Sequence, residues 1–171
     1  INNVTDISCY GLTDGSAILN ILGGTPPFAE NWGGFNPNAL AQGTYFFTVT
    51  DSNSCSYSDS ISIIEPDSLY YSSQINNISC YGFNDGIAEA FATGGTTPYT
   101  FVWDSLNGQL NDSAFNLTPG IHTVYVTDKN GCTHYDTVVI TEPTELVVTI
   151  VDSMTIYSYC AGTNSARLCA I

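Results

Sequence analysis

The sequence predicts an all-β protein made of tandem small antiparallel β-sandwiches. Three observations carry this: the chain repeats itself, its apolar residues alternate with polar ones at period two, and turn signals rather than helix-period segments separate the apolar runs. Of its 171 residues 43% are hydrophobic and 12% aromatic, so a packed core is expected despite a formal net charge of -14.

The repeat sets the units. Ile78-Ser79-Cys80-Tyr81-Gly82 restates Ile7-Ser8-Cys9-Tyr10-Gly11 at an offset of 71. Asp85-Gly86, Gly94-Gly95-Thr96, Pro98 and Trp103 answer Asp14-Gly15, Gly23-Gly24-Thr25, Pro27 and Trp32 in the same register. Beyond the tryptophans the offset is 77, with Gly120 on Gly43, Val126-Thr127-Asp128 on Val49-Thr50-Asp51, Cys132 on Cys55 and Glu142-Pro143 on Glu65-Pro66. Six residues are therefore inserted in the second copy, within about 104 to 119. The expected units are 1–66, a first sandwich lacking its first strand; 67–143, a second; and 144–171, the start of an incomplete third, where Cys160-Ala161-Gly162 loosely echoes Cys80-Tyr81-Gly82.

Superposing the copies separates inside from outside, because strands alternate faces. Ala17, Leu19 and Ile21 align with Ala88, Ala90 and Ala92, while Ile18 aligns with Glu89, so the first set faces inward. Phe47 and Val49 align with Val124 and Val126, and Ile61 and Ile63 with Val138 and Ile140. Gly-Gly-Thr, Asn-Pro-Asn and Asp-Lys-Asn-Gly supply turns between these strands. Asp14-Gly15 and Asp85-Gly86 read as hairpin signals.

Six cysteines without a Cys-x-x-Cys pair suit disulfides in an oxidising compartment better than zinc. A unit of roughly 70 residues buries only about 60% of its unfolded surface, so a staple is expected. Bonds Cys9–Cys55 and Cys80–Cys132 would place the same link in each copy and close loops of 46 and 52 residues. Each would contribute roughly 4 kcal/mol. The pairing of Cys160 and Cys169 stays open.

The series Cys-Tyr-Gly-x-x-Asp-Gly, Gly-Gly-Thr-x-Pro-(Phe/Tyr), Trp, Gly-x-(Tyr/His), Val-Thr-Asp-x-x-x-Cys and Glu-Pro, over 7–66 and again over 78–143, resembles the SprB-type repeat. That family occurs in large surface adhesins of gliding Gram-negative bacteria exported by the type IX secretion system. The resemblance implies an Ig-like, surface-exposed, non-enzymatic repeat used in adhesion, gliding or cell-surface filaments. Two departures stand out: Ser54 replaces Gly131, and the third copy lacks the Asp-Gly pair after its cysteine. Asp-(Ser/Thr)-aliphatic triplets resemble the O-glycosylation signal of the same bacteria and nominate Ser60, Ser68, Ser105, Ser113, Thr137 and Ser153; six of the eleven aspartates head such a triplet. Aspartate and serine also begin turns before strands, which is the plainer explanation of the same triplets.

Catalytic chemistry finds little support, because a nucleophile needs a base placed against it. The two histidines, His122 and His134, take positions that are Tyr45 and Tyr57 in the first copy. Such an exchange marks a half-buried strand position, and no catalytic residue is expected. No cofactor is expected either. Asp14, Asp51, Asp85 and Asp128 are weak calcium candidates, since each sits at a turn, yet Asx capping explains Asp51 and Asp128 as well. Trp32, Trp103, Tyr99, Phe101 and Phe28 could form a carbohydrate platform, the alternative function, but tryptophan recurring at one repeat position reads as core.

Only Lys129 and Arg167 oppose sixteen acidic residues, which excludes a nucleic-acid partner, and apolar runs are too short for a membrane span. The absence of a leader at Ile1 fits a removed signal or a piece of a longer chain. The expected place is the bacterial cell surface. The expected partners are neighbouring repeats or copies of the chain head to tail, with surface glycans possible. The strand-like stretch 146–151 could complete a sandwich in another copy, and a longer covalent array is the alternative.

Overall fold

Alternating apolar and polar residues commit a chain to strands with one buried face. The computed structural model of the protein describes residues 3–104 and 109–148, and among them eleven strands pair antiparallel. The first repeat holds β1 (Asn3–Thr5), β2 (Ser16–Ile18), β3 (Ala29–Asn31), β4 (Gly43–Thr50) and β5 (Ser56–Ile63), arranged as a β1-β2 pair facing a β3-β4-β5 sheet. The second holds β6 (Tyr70–Asn76), β7 (Gly86–Thr93), β8 (Thr100–Trp103), β9 (Ser113–Leu117), β10 (Gly120–Thr127) and β11 (Thr133–Ile140). Its sheets run β6-β7-β9 and β11-β10-β8. Lettered in chain order as A, B, C, E, F and G, they are the A-B-E and G-F-C sheets of an Ig-like sandwich.

Each repeat closes over its own core. Ala88, Ala90, Ala114 and Leu117 from one sheet share a cluster with Trp103, Val124, Val126, Val138 and Ile140 from the other. The first repeat groups Ala17 with Trp32, Phe47, Val49, Ile61 and Ile63 in the same way. The inward sets expected from the superposed copies are thus buried, except that Leu19, Ile21 and Ala92 are half-buried and pack against the cores. The inserted residues lie where the offset changes: Leu40 and Leu117 end up equivalent and buried, although the first copy reaches that point through turns closed at Phe35 and Ala39, and the second through β9.

Two expectations change. The first repeat does have a beginning of its first strand, because β1 pairs three residues with β2, whereas the equivalent β6 pairs seven with β7. The Asp-Gly pairs are not hairpin turns. Asp14 and Asp85 instead accept hydrogen bonds from the Ser8 and Ser79 N–H groups at 3.1 Å, and Gly15 exchanges backbone hydrogen bonds with Leu40. A Cβ on Gly15 would lie 2.7 Å from Ile63 Cγ2 and 2.8 Å from the Leu40 carbonyl; on Gly86, 2.8 Å from Ile140 Cγ2 and 2.9 Å from the Leu117 carbonyl. Glycine is needed there for space, since neither residue has a positive φ. Ser54, by contrast, takes φ 68° where Gly131 has 86°, so it accepts the left-handed strain that glycine avoids.

Gly86→Ala is expected to destabilise the second repeat by about 2 kcal/mol, because the methyl group meets backbone as well as a side chain. Urea unfolding followed by tryptophan fluorescence measures it; a change within about 0.5 kcal/mol would contradict the crowding.

Candidate functional site at the repeat junction

An aspartate that opens a tight turn can satisfy several N–H groups at once. In the second repeat Asp128 Oδ1 accepts from Asn130 N at 2.8 Å and Cys132 N at 2.9 Å, while Oδ2 accepts from Thr96 N at 2.8 Å. Asp51 repeats this with Asn53, Cys55 and Thr25. The Thr25 and Cys55 N–H groups hold the Asp51 carboxyl below its ordinary range. This loop forms one end of each sandwich, here called the head. At the other end, the tail, the Ser8-to-Asp14 loop is tied to the exit of the last strand: Ile7 N donates to the Ile64 carbonyl at 3.0 Å and Gly11 N to Glu65 Oε1 at 2.5 Å. Ile78 with Thr141, and Gly82 with Glu142, repeat both contacts.

The head of the second repeat meets the tail of the first. Cys9 is bonded to Cys132 with their Cα atoms 5.6 Å apart, and Asn130 Nδ2 donates to the Ser8 carbonyl at 3.0 Å. The peptide linker crosses the same junction and is pinned at both sides, by Glu65 on Gly11 and by the Asp67 carbonyl accepting from Gly95 N at 2.8 Å. A Cβ on Gly94 would overlap the Ser68 carbonyl, so the Gly-Gly-Thr motif is shaped to receive a linker.

The expected bonds Cys9–Cys55 and Cys80–Cys132 are therefore corrected: among the described residues one bond joins the two repeats, and Cys55 and Cys80 are free and exposed. The reason is distance. Cys9 is anchored beside Ile64 and Glu65 at the tail, whereas Cys55 precedes β5 at the head, and an extended strand of eight residues spans ~27 Å. A disulfide needs Cα atoms within about 7 Å. Repeat equivalence located the right residue types; it could not show that they occupy opposite ends.

The remaining candidates fall into place separately. Asp14 and Asp85 are engaged by donors of their own loops, Asp51 and Asp128 by N–H groups of their own turns and of Thr25 and Thr96 in the Gly-Gly-Thr loops, and among the described residues no group of three metal-ligating side chains converges. Ser60 and Thr137 are repeat-equivalent and exposed on β5 and β11, each with its N–H bonded to the preceding aspartate. Ser68 is exposed in the linker, Ser113 is half-buried on β9, and Ser105 and Ser153 lie outside the described residues. Trp32 and Trp103 are 6% and 1% exposed, and Phe28, Tyr99 and Phe101 pack against the cores, so they form no surface platform. An exposed stack of Tyr125 on Tyr135, ring centroids 5.7 Å apart, was not legible from the repeat, because its equivalents are Thr48 and Ser58.

The fold and junction define a tandem-repeat β protein whose Ig-like units are joined head to tail. The SprB repeat profile matches residues 1–29 and 72–108, the leading parts of the two copies, which supports the resemblance of both to SprB-type repeats. Among solved structures, that of the amphioxus IgVJ-C2 molecule is similar at 18% identity, covering 82% of this chain and 96% of that one, with a TM-score of 0.34. No curated protein matches the sequence. Among the described residues no helix is long and apolar enough to cross a membrane.

The exchange of Tyr45 for His122 has a structural cause. Tyr45 OH donates to the Ala41 carbonyl at 3.0 Å, the tyrosine corner of an Ig-like strand F, and His122 Nε2 meets the equivalent Thr118 carbonyl at 2.9 Å. His122 Nδ1 faces Asp104 Oδ2 at 2.5 Å. Both ring nitrogens thus face acceptors, which only the imidazolium can satisfy. Burial works against the charge, but the Asp104 hydrogen bond, the Thr118 carbonyl and the Asp104 charge together raise the His122 pKa above 6.5. A raised histidine pKa stabilises the fold fully below the unfolded value of about 6.5, and that contribution fades as pH rises through the folded value. Asp104→Asn is accordingly expected to cost about 1 kcal/mol at pH 6, discounted because the aspartate is 45% exposed, and progressively less above the raised pKa. Thermal unfolding at pH 6 and pH 9 checks this, and an equal loss at both would remove the charged pair.

Proposed function

We propose that the chain is a non-enzymatic, extracellular structural and adhesive segment of a bacterial surface adhesin or filament, which holds a binding end away from the cell and resists extension. The observation that carries this reading is the course of the covalent chain. The Cys9–Cys132 bond encloses the chain from β2 to β10, so tension applied at the two ends passes through β1, the disulfide and β11. Most of both cores lies inside the enclosed loop, with Ile7, Val138 and Ile140 outside it, so the bulk of each sandwich is shielded from extension. The SprB-type match and the acidic surface fit the same reading, since a net charge of -14 keeps neighbouring repeats soluble. A carbohydrate-binding module would have to work through exposed aromatics such as the Tyr125–Tyr135 stack, because the tryptophans are core.

Pulled from its ends under oxidising conditions, the chain is expected to yield no long extension, and a reductant is expected to release roughly 400 Å, the span of the 123 residues between the bonded cysteines. Single-molecule force spectroscopy reads this. Two shorter releases on reduction, one per repeat, would restore pairing within each copy and defeat the shielding argument.

If the triplets are glycosylated in native material, occupancy is expected at Ser60, Ser68 and Thr137, whose hydroxyls face solvent, ahead of half-buried Ser113. Site-resolved mass spectrometry decides, and glycan on Ser113 with none on the exposed three would reverse the order.

A further inference from the structure

A sandwich sheet covers its core with one face and leaves the other to solvent, where the fold asks for no particular chemistry. On the outer face of β8-β10-β11, Tyr125 stands opposite Tyr135, with Thr123–Thr137 and Thr127–Thr133 as the flanking pairs. The two rings lie stacked at 29° with centroids 5.7 Å apart, although Tyr135 is 68% exposed. Exposed Ile121, opposite exposed Val139, extends the patch along the strands, and Val102 of β8 adjoins Tyr125. None of these side chains belongs to the core of the second repeat, so the sandwich does not account for them.

The first repeat supplies a comparison. At the place of the tyrosines it has Thr48 and Ser58, whose Oγ atoms are 2.7 Å apart, and further along Thr44 Oγ1 lies 3.2 Å from Ser62 Oγ. Between these pairs Phe46 faces Ser60 and is 74% exposed. Each repeat thus sets exposed aromatic carbon in a frame of hydroxyl groups on the same face, displaced by one strand pair. No outward residue of β3, β4 and β5, or of β8, β10 and β11, is charged. Asp59 and Asp136 alternate to the other side of their strands, opposite Phe47 and Val124. Asp104, just beyond β8, is engaged by the Thr123 N–H and His122. The carboxylates that hold the loops sit at the head and the tail instead.

These features select a ligand. A face without a charged side chain has nothing with which to pair an ion, and a net charge of -14 repels anionic polymers and a second copy of the chain. The face of an aromatic ring is negative and attracts the C–H face of a sugar ring, while threonine hydroxyls can both donate to and accept from sugar hydroxyls. The Tyr125–Tyr135 stack already holds its rings in place, so little side-chain freedom is lost on contact. We propose that the outer face of β8-β10-β11 binds a neutral polysaccharide, whose sugar rings lie against Tyr125 and Tyr135 while Thr123, Thr127, Thr133 and Thr137 meet its hydroxyl groups. Phe46 forms a weaker site of the same kind on the first repeat. Such a site rests on the adhesive reading above, to which it adds the ligand class. Thr137 belongs to this face, so a glycan carried there would fill the site.

The test uses the full chain free of glycans, its open thiols capped with iodoacetamide, and measures its depletion from solution by beads of cellulose, cross-linked dextran or agarose. Binding to at least one of the three is expected, little changed between about 0.1 M and about 0.5 M salt, and weaker on carboxymethyl-cellulose. Tyr125→Thr with Tyr135→Ser gives the second repeat the pair that the first already holds, so the sandwich accommodates it. This double substitution should weaken binding about fivefold or more with an unchanged melting temperature, and adding Phe46→Thr, which copies Thr123, should remove the remainder. No depletion by any of the three neutral beads overturns the proposal, as does binding indifferent to the two tyrosine substitutions. Binding that salt abolishes assigns the face to a charged partner, and self-association that needs Tyr125 and Tyr135, seen in sedimentation, assigns it to a second copy; either overturns it too. Pulled from its ends, the double variant should still release its length only on reduction, so a failed ligand leaves the load-bearing role intact.

Discussion

An extended strand of eight residues is ~27 Å long, and each repeat places its two cysteines beyond opposite ends of such a strand. Cys55 and Cys132 lead into β5 and β11, while Cys9 and Cys80 sit in loops pinned where those strands leave the sandwich. No bond within a repeat can cover that distance. Cys9 and Cys132 serve the junction between the two repeats instead. A unit with a core this small gains a neighbour held by two covalent connections, the linker and the disulfide.

Carboxylates organise both ends of the unit. At the head, Asp51 or Asp128 gathers three N–H groups and fixes the turn that presents the cysteine. At the tail, Asp14 or Asp85 folds the serine loop, and Glu65 or Glu142 ties that loop to the departing strand. An acidic composition that could suggest metal binding is used in large part to satisfy backbone donors, which a loop without sheet partners must otherwise leave to water.

The two copies differ where they meet different surroundings. His122 replaces Tyr45 because either side chain can reach the carbonyl four residues upstream, and in the second copy Asp104 adds an acceptor that a protonated ring satisfies. Gly94 is pressed against the linker and Gly23 is open, although the motif around them is the same.

The sequence by itself determined the β class, the two units, the inward face of each strand and the burial of both tryptophans, because period-two alternation and a repeated register follow directly from strand geometry. It also marked Asp51 and Asp128 as turn caps, a local matter settled within four residues. It could not decide cysteine pairing, since equivalence between copies says which residues share a place and nothing about how far apart two places are. Nor could it tell that Gly15 and Gly86 answer to crowding from Leu40 and Leu117, or that Tyr125 and Tyr135 stack, because those neighbours are distant in the chain. Tertiary structure decided these matters by fixing the two ends of each sandwich and setting the head of one against the tail of the other.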